Sequence, residues 1–278
     1  MMISTNAYRW SQHYEAQGMS LDANLDEALG MAAEAGLEAW EPFWETEAQR
    51  DLYAEKLPRY GLAMPSFYTP ANLIGPDPEA EVARVVERCR WARELGATIV
   101  VTNPDPVNWT GTPKPDQLVI QQTAALRTLC QEVSALGMKV GLHFHTPELM
   151  LGAREVHHTF LEIPPSLLGM CFDYHWAWRG CGNSHLAADT LVRMYGDRII
   201  SLHIRQSQGG IWTETLGDGD LDYGPLFRGL RARGWSGVVT EEQAYEEGTP
   251  VTLSQIEAHR QSVAWLRDAW TQADPAMS

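Results

Sequence analysis

The sequence predicts a single (β/α)8 TIM barrel of the α/β class, and three observations carry that expectation. Short apolar runs alternate with helical patterns along the whole 278-residue chain. These strand-then-helix units recur eight times at about 30 residues each, which fits the roughly 250-residue barrel better than a doubly wound sheet. No Gly-x-Gly-x-x-Gly follows the first strand, so the dinucleotide-binding alternative lacks its main motif. With 44 % hydrophobic residues the chain can bury one large core, and no linker or composition shift divides it. One domain over residues 1–278 is expected.

The elements follow in order. Ile3–Ala7 reads as the first strand, and the helix after it places Leu21, Leu25, Ala28, Leu29 and Ala32 on one stripe before Gly36 closes it. Leu37–Glu41 is the second strand. A charged helix near 46–58 leads to Gly61–Ser66 as the third, and a helix from Glu79 to Leu95 ends at Gly96. Ile99–Thr102 is the fourth. The helix from Asp116 to Leu136 stops at Gly137 and feeds the fifth strand, in which Val140, Leu142 and Phe144 alternate with Gly141, His143 and His145 until Pro147 and Glu148 end it. Leu167–Asp173 is the sixth strand, Ile199–Arg205 the seventh after a helix near 185–195, and Gly237–Glu242 the eighth after a helix near 224–233. A helix from Leu253 to Trp270 completes the set, and the tail Gln272–Ser278 is expected to fray.

Composition excludes several partners. A formal charge of −15 repels a phosphate backbone, because nucleic-acid affinity comes largely from Lys and Arg neutralising phosphates. No nucleic-acid partner is expected. Cys89, Cys130, Cys171 and Cys181 are widely spaced without a Cys-x-x-Cys pair, as reduced packing residues of a cytoplasmic protein would be. The N-terminus lacks a basic segment followed by an apolar one, and no run approaches eighteen apolar residues, so no membrane association is expected.

In such a barrel the chemistry sits at the C-terminal ends of the strands. Glu148, Asp173, His203 and Glu242 all fall there, after strands five to eight. Alternation puts Ser201, His203 and Arg205 on the inward face of strand seven, and it separates Val238, Thr240 and Glu242 from Val239 and Glu241 on strand eight. Asp173 shares a face with Cys171. Two Glu, one Asp and one His make a mixed oxygen and nitrogen donor set, hard enough for one Mn²⁺ or Mg²⁺ and able to take Co²⁺ or Zn²⁺. Any one of the four alone reads better as a buried polar residue with its own hydrogen bonds, but four on one rim read as a metal site. His143 and His145 read as pocket lining.

The contexts His-Phe-His-Thr-Pro-Glu148, Phe-Asp173-Tyr-His-Trp, Ser-Leu-His203-Ile-Arg and Gly-Val-Val-Thr-Glu-Glu242 resemble the sugar phosphate isomerase/epimerase family of xylose isomerase-like TIM barrels over nearly the whole chain. The resemblance implies that Glu148, Asp173, His203 and Glu242 hold one divalent ion, Mn²⁺ foremost, and that Glu148 and Glu242 are the catalytic pair. They would move a proton beside a carbonyl through a metal-stabilised ene-diolate on a small sugar, phosphorylated or not. Glu214 lies in an acidic, Gly-rich loop that resembles the family's loop before the last helix. Ketose 3-epimerases usually carry a histidine three residues after the metal-binding Asp, where this chain has Trp176, with His175 one place earlier. Arg205, His143, His145, Trp176, His175 and Glu214 are the expected substrate-binding residues. Tyr8, Phe67, Trp178 and Trp212 fall near loop ends, where aromatic faces can also pack. An inosose-type dehydratase that expels a β-hydroxyl is the alternative, and a sugar-binding barrel without turnover is a third reading. The chain is compatible with a homo-oligomer.

Overall fold

The computed structural model describes residues 1–109 and 111–274. Among the described residues the strands are β1 (Met2–Asn6), β2 (Ala39–Glu41), β3 (Ser66–Tyr68), β4 (Ile99–Thr102), β5 (Lys139–Leu142), β6 (Leu168–Asp173), β7 (Ile199–Ile204), β8 (Ser207–Gln208), β9 (Ile211–Trp212) and β10 (Val238–Glu241). The helices are α1 (Ala7–Glu15), α2 (Leu25–Glu34), α3 (Glu47–Lys56), α4 (Pro78–Glu94), α5 (Asp116–Ala135), α6 (Thr146–Glu162), α7 (Tyr174–Gly180), α8 (His185–Tyr195), α9 (Gly224–Ala232) and α10 (Gln255–Gln272). The sheet order β2-β1-β10-β7-β6-β5-β4-β3 is that of the TIM barrel the sequence period predicts, with β8 and β9 forming a separate hairpin.

Two compact units divide the chain. The first comprises residues 1–42, 46–64 and 203–278. Here β1 runs parallel to both neighbours, with Asn6 opposite Glu41 on β2 and Thr5 opposite Glu241 on β10. Beyond β10 the ladder continues as Glu242 N–H donates to Ile204 O at 3.0 Å, which carries the strand-end residues alongside β7. Trp10 and Trp40 are fully buried in its core, and the Trp10 ring stacks on His259 of α10 at 4.5 Å.

The second unit comprises residues 43–45 and 65–202. Strands β3 to β6 pair in parallel register, with Thr102 opposite Leu142 and Leu142 opposite Met170. Every residue of β6 is buried, as a barrel strand with helices outside and packed side chains inside must be. Gly169 lets Ile200 approach closely, since a Cβ there would meet Ile200 Cδ1 at 2.7 Å.

Several elements depart from the sequence expectation. The segment after the first strand is already helical as α1, the third strand begins at Ser66 rather than Gly61, and α6 and α7 fill stretches to which the sequence pattern assigns no element. Gln272 closes α10, and residues 275–278 of the tail lie outside the described residues. Cys89, Cys130 and Cys171 are buried, Cys181 is half-buried, and none of the four forms a disulfide among the described residues. Among the described residues no helix is long and apolar enough to cross a membrane.

Candidate functional site

In the first unit β7 and β10 deliver His203, Arg205 and Glu242 to one place. His203 Nδ1 lies 2.8 Å from Glu242 Oε2, and its Nε2 lies 2.8 Å from Glu41 Oε1. An imidazole between two carboxylates concentrates negative charge that a cation must balance. Part of that balance is Arg205, whose guanidinium is 2.7 Å from Glu242 Oε2 and lies over the Trp212 ring at 4.5 Å from its centroid. Tyr223 Oη holds the backbone of Arg205, accepting from its N–H at 3.3 Å and donating to its C=O at 2.5 Å. Tyr8 stands nearby, and burial first and the Glu242 carboxylate second raise its phenol above the ordinary range. Glu241 points the other way, with Oε2 3.1 Å from His259 Nε2 and Oε1 3.6 Å from Arg9. The alternation used to choose Glu242 over Glu241 therefore separates them in the fold.

In the second unit the chain leaving β5 presents His143 and His145 and then enters α6. Pro147 suits the first turn of a helix, where its missing N–H leaves no bond unmade, and Glu148 Oε2 accepts from His145 N–H at 2.8 Å. Glu148 is thus a first-turn residue of a helix rather than the end of a strand. Burial pushes its carboxyl up to about 7, against the pull of Lys114, whose Nζ is 3.8 Å from Oε1. Asp173 closes β6 and caps α7, with Oδ1 accepting from Trp176 N–H at 2.8 Å. Aromatic rings meet edge to face beside these carboxylates. His145 contacts His143 at 4.7 Å, Trp176 at 5.1 Å and Trp109 at 5.2 Å, while His175 lies 6.4 Å from Trp176.

The profile of the xylose isomerase-like TIM barrel family matches residues 29–269. The chain belongs to that family. An inosose dehydratase from Lactiplantibacillus plantarum is 27 % identical over 150 residues, which is 45 % of this chain and 46 % of that protein, so the match spans about half of either. Among solved structures, a xylose isomerase-like TIM barrel protein from Mycobacterium smegmatis in complex with magnesium superposes with a TM-score of 0.77 at 14 % identity, over 100 % of this chain and 98 % of that one. An L-ribulose 3-epimerase superposes with a TM-score of 0.76 at 16 % identity, over 98 % and 96 %. At these identities the superpositions show the barrel fold alone.

Residues able to ligate a metal are present in both units of this family member, namely His143, Cys171 and Asp173 in the second and His203 and Glu242 in the first. The donors fit a hard divalent cation. They are carboxylate oxygens and imidazole nitrogens, Cys171 being the single soft one, and buried Glu148 Oε1 accepts no hydrogen bond among the described residues. Glu214 is employed differently, since its carboxylate accepts from Thr252 N–H at 2.7 Å and Thr252 Oγ at 2.8 Å and so pins the segment before α10. Sequence reasoning missed Glu41 and Lys114. Glu41 shares a face with Ala39 on β2 and alternates with Trp40, the same parity that selects the later strand-end residues, while Lys114 stands between two prolines and gives no periodic signal.

Proposed function

We propose that the protein is a divalent-metal-dependent isomerase or epimerase of a small sugar or keto-sugar. Glu148, Asp173, His203 and Glu242 are its ligands, and Glu148 and Glu242 are the carboxylates that move the proton. The observation that carries this reading is the buried Glu41–His203–Glu242 arrangement, 2.8 Å at each contact, at strand ends where barrel enzymes of every kind keep their chemistry. The ion, Mn²⁺ in the first instance with Mg²⁺, Co²⁺ and Zn²⁺ as alternatives, supplies a Lewis acid that polarises the substrate carbonyl.

The remaining work falls to side chains. Glu148, bound to the ion through one oxygen, would keep the other free to take the proton from the carbon beside the carbonyl. A proton delivered to the opposite face by the second carboxyl, Glu242, gives an epimer, while Glu148 returning its proton to the neighbouring carbon gives the isomer. Arg205, stacked on Trp212, presents fixed donors to a substrate oxygen. His143, His145, His175 and Trp176 offer ring edges and faces against which a sugar can pack while water is excluded.

The likeness to an inosose dehydratase favours a second reading, in which the same proton is removed and the β-hydroxyl leaves as water after protonation by the other carboxyl. One experiment separates them. Ketoses, inososes and 3-keto-glycosides are incubated with the protein and Mn²⁺ in D₂O and followed by NMR. Deuterium at the carbon beside the carbonyl without loss of water identifies an isomerase or epimerase, and an unsaturated product identifies a dehydratase. Binding with no exchange at any carbon overturns both in favour of a sugar-binding barrel.

A further inference from the structure

Lys114 is 3 % exposed in the second unit, an uncommon position for an ammonium group, and its placement is fixed without reference to Glu148. Pro113 and Pro115 flank it and restrict its backbone to extended conformations. Its carbonyl accepts from Arg154, which also pairs with Asp116 at the start of α5. Its Nζ donates to Glu155 Oε1 at 2.8 Å, and Gln122 Nε2 donates to the same oxygen at 2.8 Å. The ammonium is therefore an anchored charge, and it faces Glu148 Oε1 at 3.8 Å.

Glu148 is thereby held at two points. Oε2 is tied to His145 N–H at 2.8 Å and Oε1 is drawn toward Lys114. Two points fix the plane of a carboxylate where one leaves it free to turn. Behind it, the cavity bordered by Gln122, Glu148, Glu155 and Thr159 measures about 10 Å³, room for about one water, so the carboxylate has nowhere to swing while the strap stays in place.

We propose that Lys114, held by Glu155 and the Pro113–Lys114–Pro115 strap, is a positioning residue that orients the Glu148 carboxylate. The inference rests on the reading of Glu148 as ligand and proton carrier, and its test is arranged so that the two fail separately. Lys114→Met is compared with Lys114→Arg, which keeps the charge, and with Lys114→Met/Glu155→Gln, in which Glu155 is not left as a lone buried charge. Crystal structures of the variants read the Glu148 torsions directly, and the visible absorption of added Co²⁺ reads the ligand field. Glu148 is expected to rotate away from His145 N–H in both Met variants, with a changed Co²⁺ spectrum and proton exchange at the substrate carbon slower by about 10- to 100-fold, the scale on which small misplacements act. Lys114→Arg restores all three. A Glu148 that keeps its place in the Met variants overturns the proposal whatever the metal does. Wild-type protein that takes up no Co²⁺ overturns the metal-dependent reading instead, and Lys114 is then judged on the Glu148 torsions alone.

Discussion

Glu241 and Glu242 are sequence neighbours with opposite fates, because alternation along β10 sends one toward α10 and leaves the other beside His203. Burial pushes Glu241 up to about 7 and pushes His259 well below its ordinary range. His259 Nδ1–H donates to Gln255 O at 2.8 Å, which leaves Nε2 as an acceptor facing Thr5 Oγ1 at 3.3 Å and Glu241 Oε2 at 3.1 Å. A carboxyl held above its ordinary 4.5 adds stability that is complete below that value and is lost as pH rises through about 7. His259, held neutral, contributes the opposite slope up to its ordinary 6.5, so Glu241 is read from the difference: the urea midpoint of metal-free wild type should lose ground against Glu241→Gln as pH rises from about 4.5 to about 7. An unchanged slope in the variant would assign that dependence to other groups. For the proton carriers, Glu148→Gln and Glu242→Gln should each slow deuterium wash-in at saturating Mn²⁺ by about 10²- to 10⁴-fold. Wild-type exchange in both variants would move the role to His143, His145 or His175. That Glu241 and Glu242 face apart was legible, because periodicity alone decides it. Glu41 was not: a lone carboxylate on a three-residue strand becomes meaningful only once the fold sets it 2.8 Å from His203 Nε2 and 2.8 Å from Asn6 Nδ2.

At the scale of elements, β4 and β6 stand where their β-branched and apolar runs place them. The missed elements share a physical cause. α1 buries Arg9 and Ser11 along with Trp10 and Tyr14, so no apolar stripe announces it. α6 was hidden by Pro147, read as the end of a strand although proline equally opens a helix, and by a left-handed turn in which Leu151, Gly152 and Ala153 have φ of 54°, 70° and 58°. A leucine in that conformation is strained by about 1–2 kcal/mol, and asparagine tolerates it better. Leu151→Asn, at a side chain 63 % exposed, should raise stability by roughly 0.5–1 kcal/mol in urea unfolding. A loss of that size would mean the Leu151 side chain makes a contact that outweighs the strain. Asp173 offers the opposite separation, of metal from fold. It caps α7 through Oδ1, and asparagine caps helices about as well as aspartate, so Asp173→Asn should leave the thermal midpoint of metal-free protein nearly unchanged while weakening Mn²⁺ binding strongly. Calorimetric titration checks the second half, and unaltered Mn²⁺ affinity would remove Asp173 from the ligand set.

For the molecule as a whole, stability and metal binding should be separable. The core that holds β4, β5 and β6 is apolar, with Val100, Val101, Val140, Leu168 and Met170 each fully buried, and it owes nothing to an ion. What an ion would add, if it binds as proposed, is selective binding to the folded state, because an unfolded chain does not hold Glu148, Asp173, His203 and Glu242 as a ligand set. Chelator-treated protein should therefore keep its far-ultraviolet circular dichroism. Added Mn²⁺ at 100 times its dissociation constant should stabilise the fold by about 2.7 kcal/mol. For a chain of this size that corresponds to a thermal midpoint higher by about 5–10 °C. The shift should grow with the logarithm of free Mn²⁺, and it should be absent in Asp173→Asn, whose cap survives but whose charge does not. Calcium at the same concentration controls for general screening of the −15 net charge, since screening acts without regard to coordination geometry. Collapse of the circular dichroism on chelation would make the ion a structural one and take away the ground for an open catalytic site. Equal shifts in wild type and Asp173→Asn would mean that the ion binds elsewhere on the acidic surface, and the barrel's strand ends would then have to work without it.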